Sequence, residues 1–327
     1  MMERRALGSS GIAISRIGLG CMPMDWGYFG SSDEDPKQVI HRAIDLGVTF
    51  LDTADVYGPF TNEETIGRAL EGRRDEVVLA TKCCRFDKAG FDFSAARVQS
   101  DIDACLTRLR TDRIDLFQTH FFDANVPIEE TLGTLDDLVR VGKLRYVGCS
   151  NYPAWRLSKA LLAASRAGIE GYVSVQPRYN LLFREIETEL LPLCRDQGLG
   201  VLVYNPIAGG MLSGRYRPGS DPQAGTRFTL GSAAQVYQHR YWEEAQLRAV
   251  ERLAKEVSAR GADLVTVAVA WVLAQAGITS AIIGASRPEQ LLASRAAADF
   301  ELDDELRKAC DAVWWELPRR PITEGYR

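Results

Sequence analysis

Short apolar runs alternate along this chain with longer segments in which apolar residues recur every three or four positions. The short runs are typical of buried β-strands, and the longer segments have the periodicity of amphipathic helices. Most runs begin about thirty residues after the previous one, which is the length of one strand–helix unit. The eight predicted strands are residues 17–19, 49–51, 77–80, 114–117, 146–148, 173–175, 199–203 and 281–283.

Eight successive strand–helix units predict a (β/α)8 TIM barrel, a fold that typically has about 250 residues and grows by insertion. The 327 residues therefore fit one domain, residues 1–327. Before the first strand, a Ser-Gly pair at residues 10–11 indicates a small β-hairpin that could plug the bottom of the barrel. After the seventh strand, a long Gly-, Pro- and Ser-rich loop is predicted from Asn205 to about His239.

A doubly wound sheet is the alternative fold, and it would need Gly-x-Gly-x-x-Gly after its first strand. Residues 18–23 read Gly-Leu-Gly-Cys-Met-Pro. Because proline replaces the third glycine, which serves close helix–strand packing, the segment favours the barrel.

Charge and composition narrow the possible partners. The formal net charge is -5 and no segment is dense in Lys or Arg, which disfavours nucleic acid or an anionic membrane. The first residues have no apolar signal core, and the apolar run at residues 267–274 is far shorter than the roughly 20 residues of a membrane span. The seven cysteines lack the spacing of a metal site. These features predict a cytoplasmic protein without a metal centre.

Four side chains with proton-transfer chemistry lie at or just after predicted strands. Asp52 and Tyr57 follow the second strand, Lys82 the third and His120 the fourth. In a parallel barrel those strand ends face the same mouth, so the four side chains should meet there. A free tyrosine has a pKa near 10, and a nearby ammonium lowers the pKa of a phenol. We therefore expect Lys82, held by Asp52, to make Tyr57 a proton donor for a carbonyl that His120 orients.

Each of these residues also has an ordinary structural interpretation. Asp52 could cap a helix, Lys82 could be a surface lysine, and His120 could be a core histidine with satisfied hydrogen bonds. For any one residue taken alone, the structural interpretation is the stronger one. Four such residues at successive strand ends favour the catalytic interpretation.

The segments around these residues resemble those of the aldo-keto reductases over nearly the whole chain. They resemble the bacterial-type branch that also includes the potassium-channel β subunits. This resemblance implies hydride transfer between a nicotinamide cofactor and a carbonyl compound, with Tyr57 as general acid/base and Asp52, Lys82 and His120 completing a tetrad. The matching segments are FLDTADVYG at residues 50–58, ATK at 80–82, TH at 119–120, VGCSN at 147–151, VQPRYN at 175–180, VYNP at 203–206, GGMLSG at 209–214 and IIGAS at 282–286.

The resemblance also implies where the dinucleotide would bind. Ser150, Asn151 and Gln176 would hold the nicotinamide carboxamide, and Tyr204 would face the ring. Turn or helix-cap bonding is the alternative for Asn151 and Gln176. The glycines after the seventh strand and the Gly-Ala-Ser turn after the eighth would approach the phosphates. The predicted cofactor-binding residues are Ser150, Asn151, Gln176, Tyr204, Asn205, Gly210, Leu212, Gly214, Gly284, Ser286, Arg287 and Gln290.

One departure from the family pattern concerns the adenine. Ala293 and Ser294 stand where family members commonly carry a Glu-Asn or similar pair that grips this base. Ser286, Arg287 and Gln290 could still surround a ribose 2′-phosphate. The cofactor is therefore predicted to be NADP, with NAD as the alternative.

Aromatic residues are expected to border the substrate pocket: Trp26 and Tyr28 after the first strand, and Phe121 after the fourth. Such a rim suits many carbonyl compounds, including sugars, and identifies none of them. Trp314 and Trp315 would either cover the mouth or pack in the last helix.

The sequence thus predicts NADPH-dependent reduction of a small aldehyde, ketone or sugar-type carbonyl. One alternative is an NAD(P)-dependent sugar or alcohol dehydrogenase that uses the same residues in the opposite direction. Another is a non-catalytic nucleotide-sensing subunit. The sequence does not predict an oligomeric state.

Overall fold

A barrel of parallel strands organises the protein, whose computed structural model describes residues 2–24, 35–83, 86–87, 90–231 and 233–318. The strands in this part of the chain are β1 (Arg4–Ala6), β2 (Ala13–Ser15), β3 (Ile17–Gly20), β4 (Phe50–Asp52), β5 (Val78–Cys83), β6 (Phe86–Asp87), β7 (Gly90–Phe91), β8 (Ile114–Thr119), β9 (Leu144–Ser150), β10 (Tyr172–Gln176), β11 (Gly200–Tyr204) and β12 (Ser280–Gly284).

Eight of these strands close into the barrel, in the order β10-β11-β12-β3-β4-β5-β8-β9. All eight neighbouring pairs are parallel. Each barrel strand overlaps one of the predicted runs, so the prediction of a (β/α)8 TIM barrel is confirmed. The strands read as short apolar runs because they are buried on both faces.

An N-terminal hairpin closes the bottom of the barrel, as predicted. β1 and β2 pair antiparallel, and Leu7 and Ile14 are fully buried in one cluster with Phe50 from the barrel interior. Gly8 has a φ of +56°, and a Cβ there would lie 2.5 Å from the carbonyl oxygen of Val173 at the start of β10. Only glycine permits this approach, so the hairpin can seat directly against the strand starts.

Helices surround the barrel, and several begin at an aspartate. Asp35, Asp263 and Asp303 each accept a backbone hydrogen bond at the N-terminus of a helix. Among the described residues, no helix is long and apolar enough to cross a membrane. The helices in this part of the chain are α1 (Pro36–Asp45), α2 (Asn62–Ala69), α3 (Ala95–Leu109), α4 (Ile128–Arg140), α5 (Ala154–Ala167), α6 (Leu190–Asp196), α7 (Ala234–Tyr241), α8 (Glu244–Ala259), α9 (Leu264–Leu273), α10 (Gln290–Ala296) and α11 (Asp304–Glu316).

The connection after β11 is long, as predicted, but it is not a loop throughout. It contains a 3₁₀ segment, Ala208–Ser213, and then α7, which includes His239. The prediction that His239 lies in a loop is therefore wrong. Tyr237 and Tyr241 are buried on α7, but this short helix has no continuous apolar stripe in its sequence, so periodicity does not reveal it.

Candidate active site

The buried ammonium of Lys82 lies at the centre of the site, near the C-terminal end of β5. Its Nζ is 2.6 Å from Asp52 Oδ2, 2.8 Å from the carbonyl oxygen of Thr53 and 3.5 Å from the Tyr57 hydroxyl oxygen. An ammonium has three N–H donors, so every donor has an acceptor. These contacts hold a positive charge next to the phenol in a place where the lysine side chain has no exposed surface.

Tyr57 and His120 face each other from different strands. Tyr57 lies in the turn after β4, where Gly58 adopts a φ of 57°. The centroids of the two rings are 6.1 Å apart and their planes are inclined by 81°. Burial, followed by the charge of Lys82, holds the pKa of His120 well below its usual value near 6.5. The imidazole is therefore neutral near pH 7.

The surroundings of His120 also indicate which ring nitrogen carries the proton. Its Nδ1 is buried and has no hydrogen-bond partner among the residues that the structure describes. A buried N–H without an acceptor costs about 1–3 kcal/mol, which favours the tautomer with the proton on Nε2. The ring stacks on Phe121, with centroids 4.8 Å apart and planes inclined by 16°. His120 is thus a fixed, neutral ring with one hydrogen bond to donate.

These side chains share one pocket with most of the residues predicted to hold the nicotinamide. Lys82 lies behind the pocket and reaches it through Asp52 and Tyr57. The pocket is lined by Gly20, Met22, Pro23, Asp52, Tyr57, His120, Ser150, Asn151, Gln176, Tyr204, Asn205, Arg227, Tyr237, Ile282 and Gly284. The structure therefore brings together predicted side chains from six barrel strands and the segments that follow them, β4, β8, β9, β10, β11 and β12.

Ser150, Asn151 and Tyr204 form one hydrogen-bonded group at the ends of β9 and β11. The Asn151 amide nitrogen donates to the carbonyl oxygen of His120 at 3.0 Å and to Ser150 Oγ at 3.1 Å. The Tyr204 hydroxyl donates to Asn151 Oδ1 at 2.8 Å. Asn151 has a φ of 60°, a left-handed conformation that asparagine tolerates better than most residues. The network ties this group to the backbone of the residue that carries the imidazole.

The second oxygen of the Asp52 carboxylate has two amide donors. Gln176 Nε2 lies 2.8 Å from Oδ1, and Gln118 Nε2 lies 3.2 Å from it. Gln118 was not predicted as a site residue. It lies on β8, two residues before His120. Residues two apart along an extended strand point to the same face. That spacing is the signal that could have identified it.

Two further pocket residues come from the connection after β11 and were not predicted. The Tyr237 hydroxyl donates to Asn205 Oδ1 at 3.3 Å, and Arg227 Nη1 donates to the Tyr237 hydroxyl at 3.3 Å. A Cβ on Gly284 would lie 2.7 Å from Arg227 Nη2, so the glycine lets the guanidinium cross the end of β12. An arginine in a Gly-rich segment has no spacing relative to a strand that would predict this position.

Three predicted cofactor residues lie in the 3₁₀ segment after β11 or directly follow it, and all three are outside the set of residues that line this pocket. Gly210 has a φ of 100° and Gly214, which ends the segment, has a φ of 72°. Leu212 is completely buried in the hydrophobic core. The segment thus has the backbone conformation of a glycine turn, and Leu212 anchors it.

Ser286 and Arg287 lie between β12 and α10, Gln290 is the first residue of α10, and the three are outside the set of residues that line the pocket. Gln290 Oε1 accepts from the Ser286 backbone amide at 2.8 Å and from its hydroxyl at 3.3 Å. Arg287 is exposed. The amide and hydroxyl of Ser286 therefore converge on one acceptor oxygen.

The predicted substrate-pocket residues are only partly accounted for. Trp26 and Tyr28 lie outside the described residues, and Phe121 is half-buried against His120. Trp314 and Trp315 lie on α11, which packs on α8, and Trp315 is 67% exposed.

Fold and site together define an oxidoreductase built on a (β/α)8 barrel, with its polar groups at the C-terminal ends of the strands. The sequence model of the Aldo/keto reductase family matches residues 16–314. The chain therefore belongs to the aldo-keto reductase family. Members of this family generally use NAD(P)H and act on small carbonyl compounds.

Similar proteins occur in bacteria and plants. The chain is 36% identical to "Uncharacterized oxidoreductase YrpG" of Bacillus subtilis (strain 168), covering 96% of each chain. It is 33% identical to "Aldo-keto reductase YhdN" of the same organism, covering 95% of this chain and 93% of that one. It is also 32% identical to "Probable voltage-gated potassium channel subunit beta" of Oryza sativa subsp. japonica, over the full length of both chains.

Proposed function

We propose that the protein reduces an aldehyde, ketone or sugar-type carbonyl to the alcohol with NADPH, and that Tyr57 donates the proton. The observation that carries this proposal is the position of Lys82 Nζ, 2.6 Å from Asp52 Oδ2 and 3.5 Å from the Tyr57 hydroxyl. A fixed positive charge beside a phenol favours loss of the phenolic proton, which is the property a general acid needs.

The residues of this chain divide the proton transfer between them. Asp52 and the Thr53 carbonyl hold the ammonium of Lys82 in place. The neutral imidazole of His120 donates a hydrogen bond from Nε2 and orients the carbonyl oxygen toward Tyr57. Tyr57 then gives its proton to that oxygen while Lys82 stabilises the phenolate that remains. The bound nicotinamide supplies the hydride.

The polar groups of the pocket fit a nicotinamide. Ser150, Asn151 and Gln176 offer hydroxyl and amide groups to a carboxamide, and Tyr204 offers the face of a ring. Gly284 leaves room for the guanidinium of Arg227, a cation suited to the phosphates of a dinucleotide. A Cβ at that position would close the gap.

We favour NADPH over NADH because of the residues at the start of α10. Arg287 is exposed beside the amide and hydroxyl of Ser286, which converge on a single acceptor. A ribose 2′-phosphate could take that acceptor position and pair with the guanidinium. Gly210, Leu212 and Gly214 would keep the segment after β11 close to the pyrophosphate.

Two alternatives keep the same pocket. An NAD(P)-dependent sugar or alcohol dehydrogenase would use the same residues in the reverse direction. A non-catalytic nucleotide-sensing subunit is consistent with the similarity to the protein named as a probable channel β subunit. The complete set of Asp52, Tyr57, Lys82 and His120 around one pocket favours catalysis. We further propose that residues 1–327 act as a single domain and that the protein works in the cytoplasm on a small-molecule substrate.

The test is to mix the purified protein with NADPH and a panel of aldehydes, ketones and sugars and to follow the nicotinamide absorbance. We expect NADPH consumption with at least one carbonyl class. Parallel assays with NAD(P)⁺ and sugars or alcohols would reveal a dehydrogenase. Tight NADPH binding without turnover in either direction would contradict the proposal and support the nucleotide-sensing alternative.

A further inference from the structure

The amide of Gln176 has both of its N–H groups engaged. Its Nε2 lies 2.8 Å from Asp52 Oδ1 and 3.4 Å from Gln118 Oε1. A carboxylate can only accept hydrogen bonds, so the nitrogen of Gln176, and not its oxygen, faces Asp52. This leaves the amide oxygen as the only polar atom that Gln176, a pocket-lining residue, can offer to a ligand.

Gln118 holds this arrangement from inside the barrel. It is completely buried, donates to Asp52 Oδ1 at 3.2 Å and accepts from Gln176. Its neighbour across the sheet is Gly148, where a Cβ would lie 3.5 Å from Gln118 Cγ and 2.6 Å from Ser174 Oγ. The glycine therefore makes room for a polar side chain in the interior layer just below the site.

The three residues form a closed set of contacts. One oxygen of Asp52 accepts a hydrogen bond from Lys82, and the other accepts from the two glutamine amides. Asp52 therefore links Lys82, the partner of Tyr57, to Gln176 at the predicted nicotinamide position. If Gln118 lost its polar atoms, Gln176 would keep one fixed partner instead of two. Asp52 would still hold one N–H, but the second N–H would be released and rotation about the last side-chain bond would be less restrained.

We propose that Gln118 is a positioning residue that, with Asp52, fixes the Gln176 amide with its oxygen toward the pocket. The site then selects a neutral carboxamide, which has an N–H to donate, and rejects a carboxylate at the same position. This inference rests on the proposed function, in which a nicotinamide ring binds beside Gln176. It adds that Gln118 helps to determine which atom of the Gln176 amide faces the carboxamide of the nicotinamide.

The selectivity follows from hydrogen-bond pairing. A nicotinamide carboxamide has an N–H to give to Gln176 Oε1, whereas a nicotinic acid carboxylate has only acceptor oxygens. The carboxylate would leave a buried acceptor unpaired and place negative charge against it, which weakens binding by about tenfold or more. Without the Gln118 amide, Asp52 would still hold one N–H of Gln176, and the second N–H would be free to donate to the carboxylate and recover the lost hydrogen bond.

The test compares NADPH with its nicotinic acid analogue by isothermal titration calorimetry. For the unaltered protein, we expect the dissociation constant of the analogue to exceed that of NADPH by at least about tenfold. In Gln118→Met, which keeps the length of the side chain but has no amide, we expect this ratio to fall to within about threefold. Thr119→Val is the matched control, because Thr119 is equally buried on β8 but bonds to Tyr172 at 3.0 Å, away from Asp52.

The outcomes separate this inference from the proposed function. An unchanged ratio in Gln118→Met, or no preference in the unaltered protein, would overturn the role of Gln118 while leaving NADPH binding intact. No NADPH binding by the unaltered protein would instead contradict the proposed function itself. A ratio that fell equally in Thr119→Val would mean that any buried change on β8 has this effect, which would also overturn the inference.

A second measurement serves if Gln118→Met does not fold. In the unaltered protein with ¹⁵N-labelled glutamine, the side-chain amide protons of Gln176 should exchange slowly with water before any cofactor is added. Their signals can be assigned by their loss in Gln176→Met. Rapid exchange, at the rate of an exposed glutamine, would show that the amide is not held and would overturn the proposal.

Discussion

The Nζ atom of Lys82 lies 3.5 Å from the hydroxyl oxygen of Tyr57 and 5.2 Å from the centroid of the tyrosine ring. The two residues are 25 positions apart and come from different parts of the barrel, Lys82 from β5 and Tyr57 from the turn after β4. The barrel brings them together because parallel neighbouring strands end at the same mouth.

Lys82→Met should lower kcat by about 100-fold or more, because the phenol loses the charge that favours release of its proton. The variant should also be less stable by about 3–5 kcal/mol, since Asp52 would be left as a buried carboxylate without its ion-pair partner. Urea unfolding and steady-state kinetics measure both effects. Lys143→Met is the matched control: Lys143 also pairs with an aspartate but is exposed, so its loss should cost about 1 kcal/mol or less. Full activity of Lys82→Met across the pH range would contradict its assigned role.

A double variant separates the two effects of Lys82. Combining Lys82→Met with Asp52→Asn removes the orphaned charge and should recover part of the lost unfolding free energy. Activity should not recover, because the phenol would still lack an ammonium. Recovery of kcat together with stability would indicate that Lys82 acts only by supporting the fold.

His120 should make the protein less stable as the pH falls below about 6.5. Its folded-state pKa is held well below 6.5 by burial and by Lys82, so between the two pKa values the unfolded chain binds the extra proton. The stability present above pH 6.5 is therefore lost progressively toward the folded-state pKa. The unfolding free energy of the unaltered protein minus that of His120→Gln should decrease by about 1.4 kcal/mol between pH 7.5 and 5.5. A difference that stays constant or grows on acidification would show that the ring is not held neutral.

Arg287→Ala should raise the KM for NADPH about tenfold and leave the KM for NADH nearly unchanged, because only NADPH carries the 2′-phosphate that Arg287 is proposed to bind. Kinetics with both cofactors measures the effect. Arg295→Ala, on the following helix and already paired with Asp299, should change neither value. An equal change for both cofactors would place Arg287 elsewhere on the dinucleotide or away from it.

The sequence predicted the barrel strands and the position of three polar residues at the barrel mouth because both depend on local signals. A short apolar run predicts a buried strand, and a polar residue just after it must lie at the barrel mouth. Asp52, Lys82 and His120 meet for this reason, although the sequence does not encode their distances directly. The ion pair and the neutral state of His120 depend on burial, which only the packed structure defines.

Other residues could not be placed because their positions depend on long-range packing. Gln118 reads as one polar residue in an apolar run, and only the contact with Asp52 shows its orientation. Arg227 comes from the irregular segment after β11 and Tyr237 from α7, and neither stretch has a hydrophobic period that predicts its path. The helix α7, which contains His239, was not predicted because its buried aromatic residues do not form a continuous apolar stripe.

The most direct test of the central claim is a single-turnover measurement of hydride transfer from bound NADPH in Tyr57→Phe. We predict that the variant binds NADPH within about threefold of the unaltered protein but transfers hydride to an aldehyde about 100-fold to 10,000-fold more slowly. Tyr146→Phe is the control, because it removes a phenolic hydroxyl from the N-terminal half of β9, whereas the pocket is lined by residues at the C-terminal end of that strand. This variant should transfer hydride at the normal rate. Hydride transfer by Tyr57→Phe within a few-fold of the unaltered rate would contradict the account.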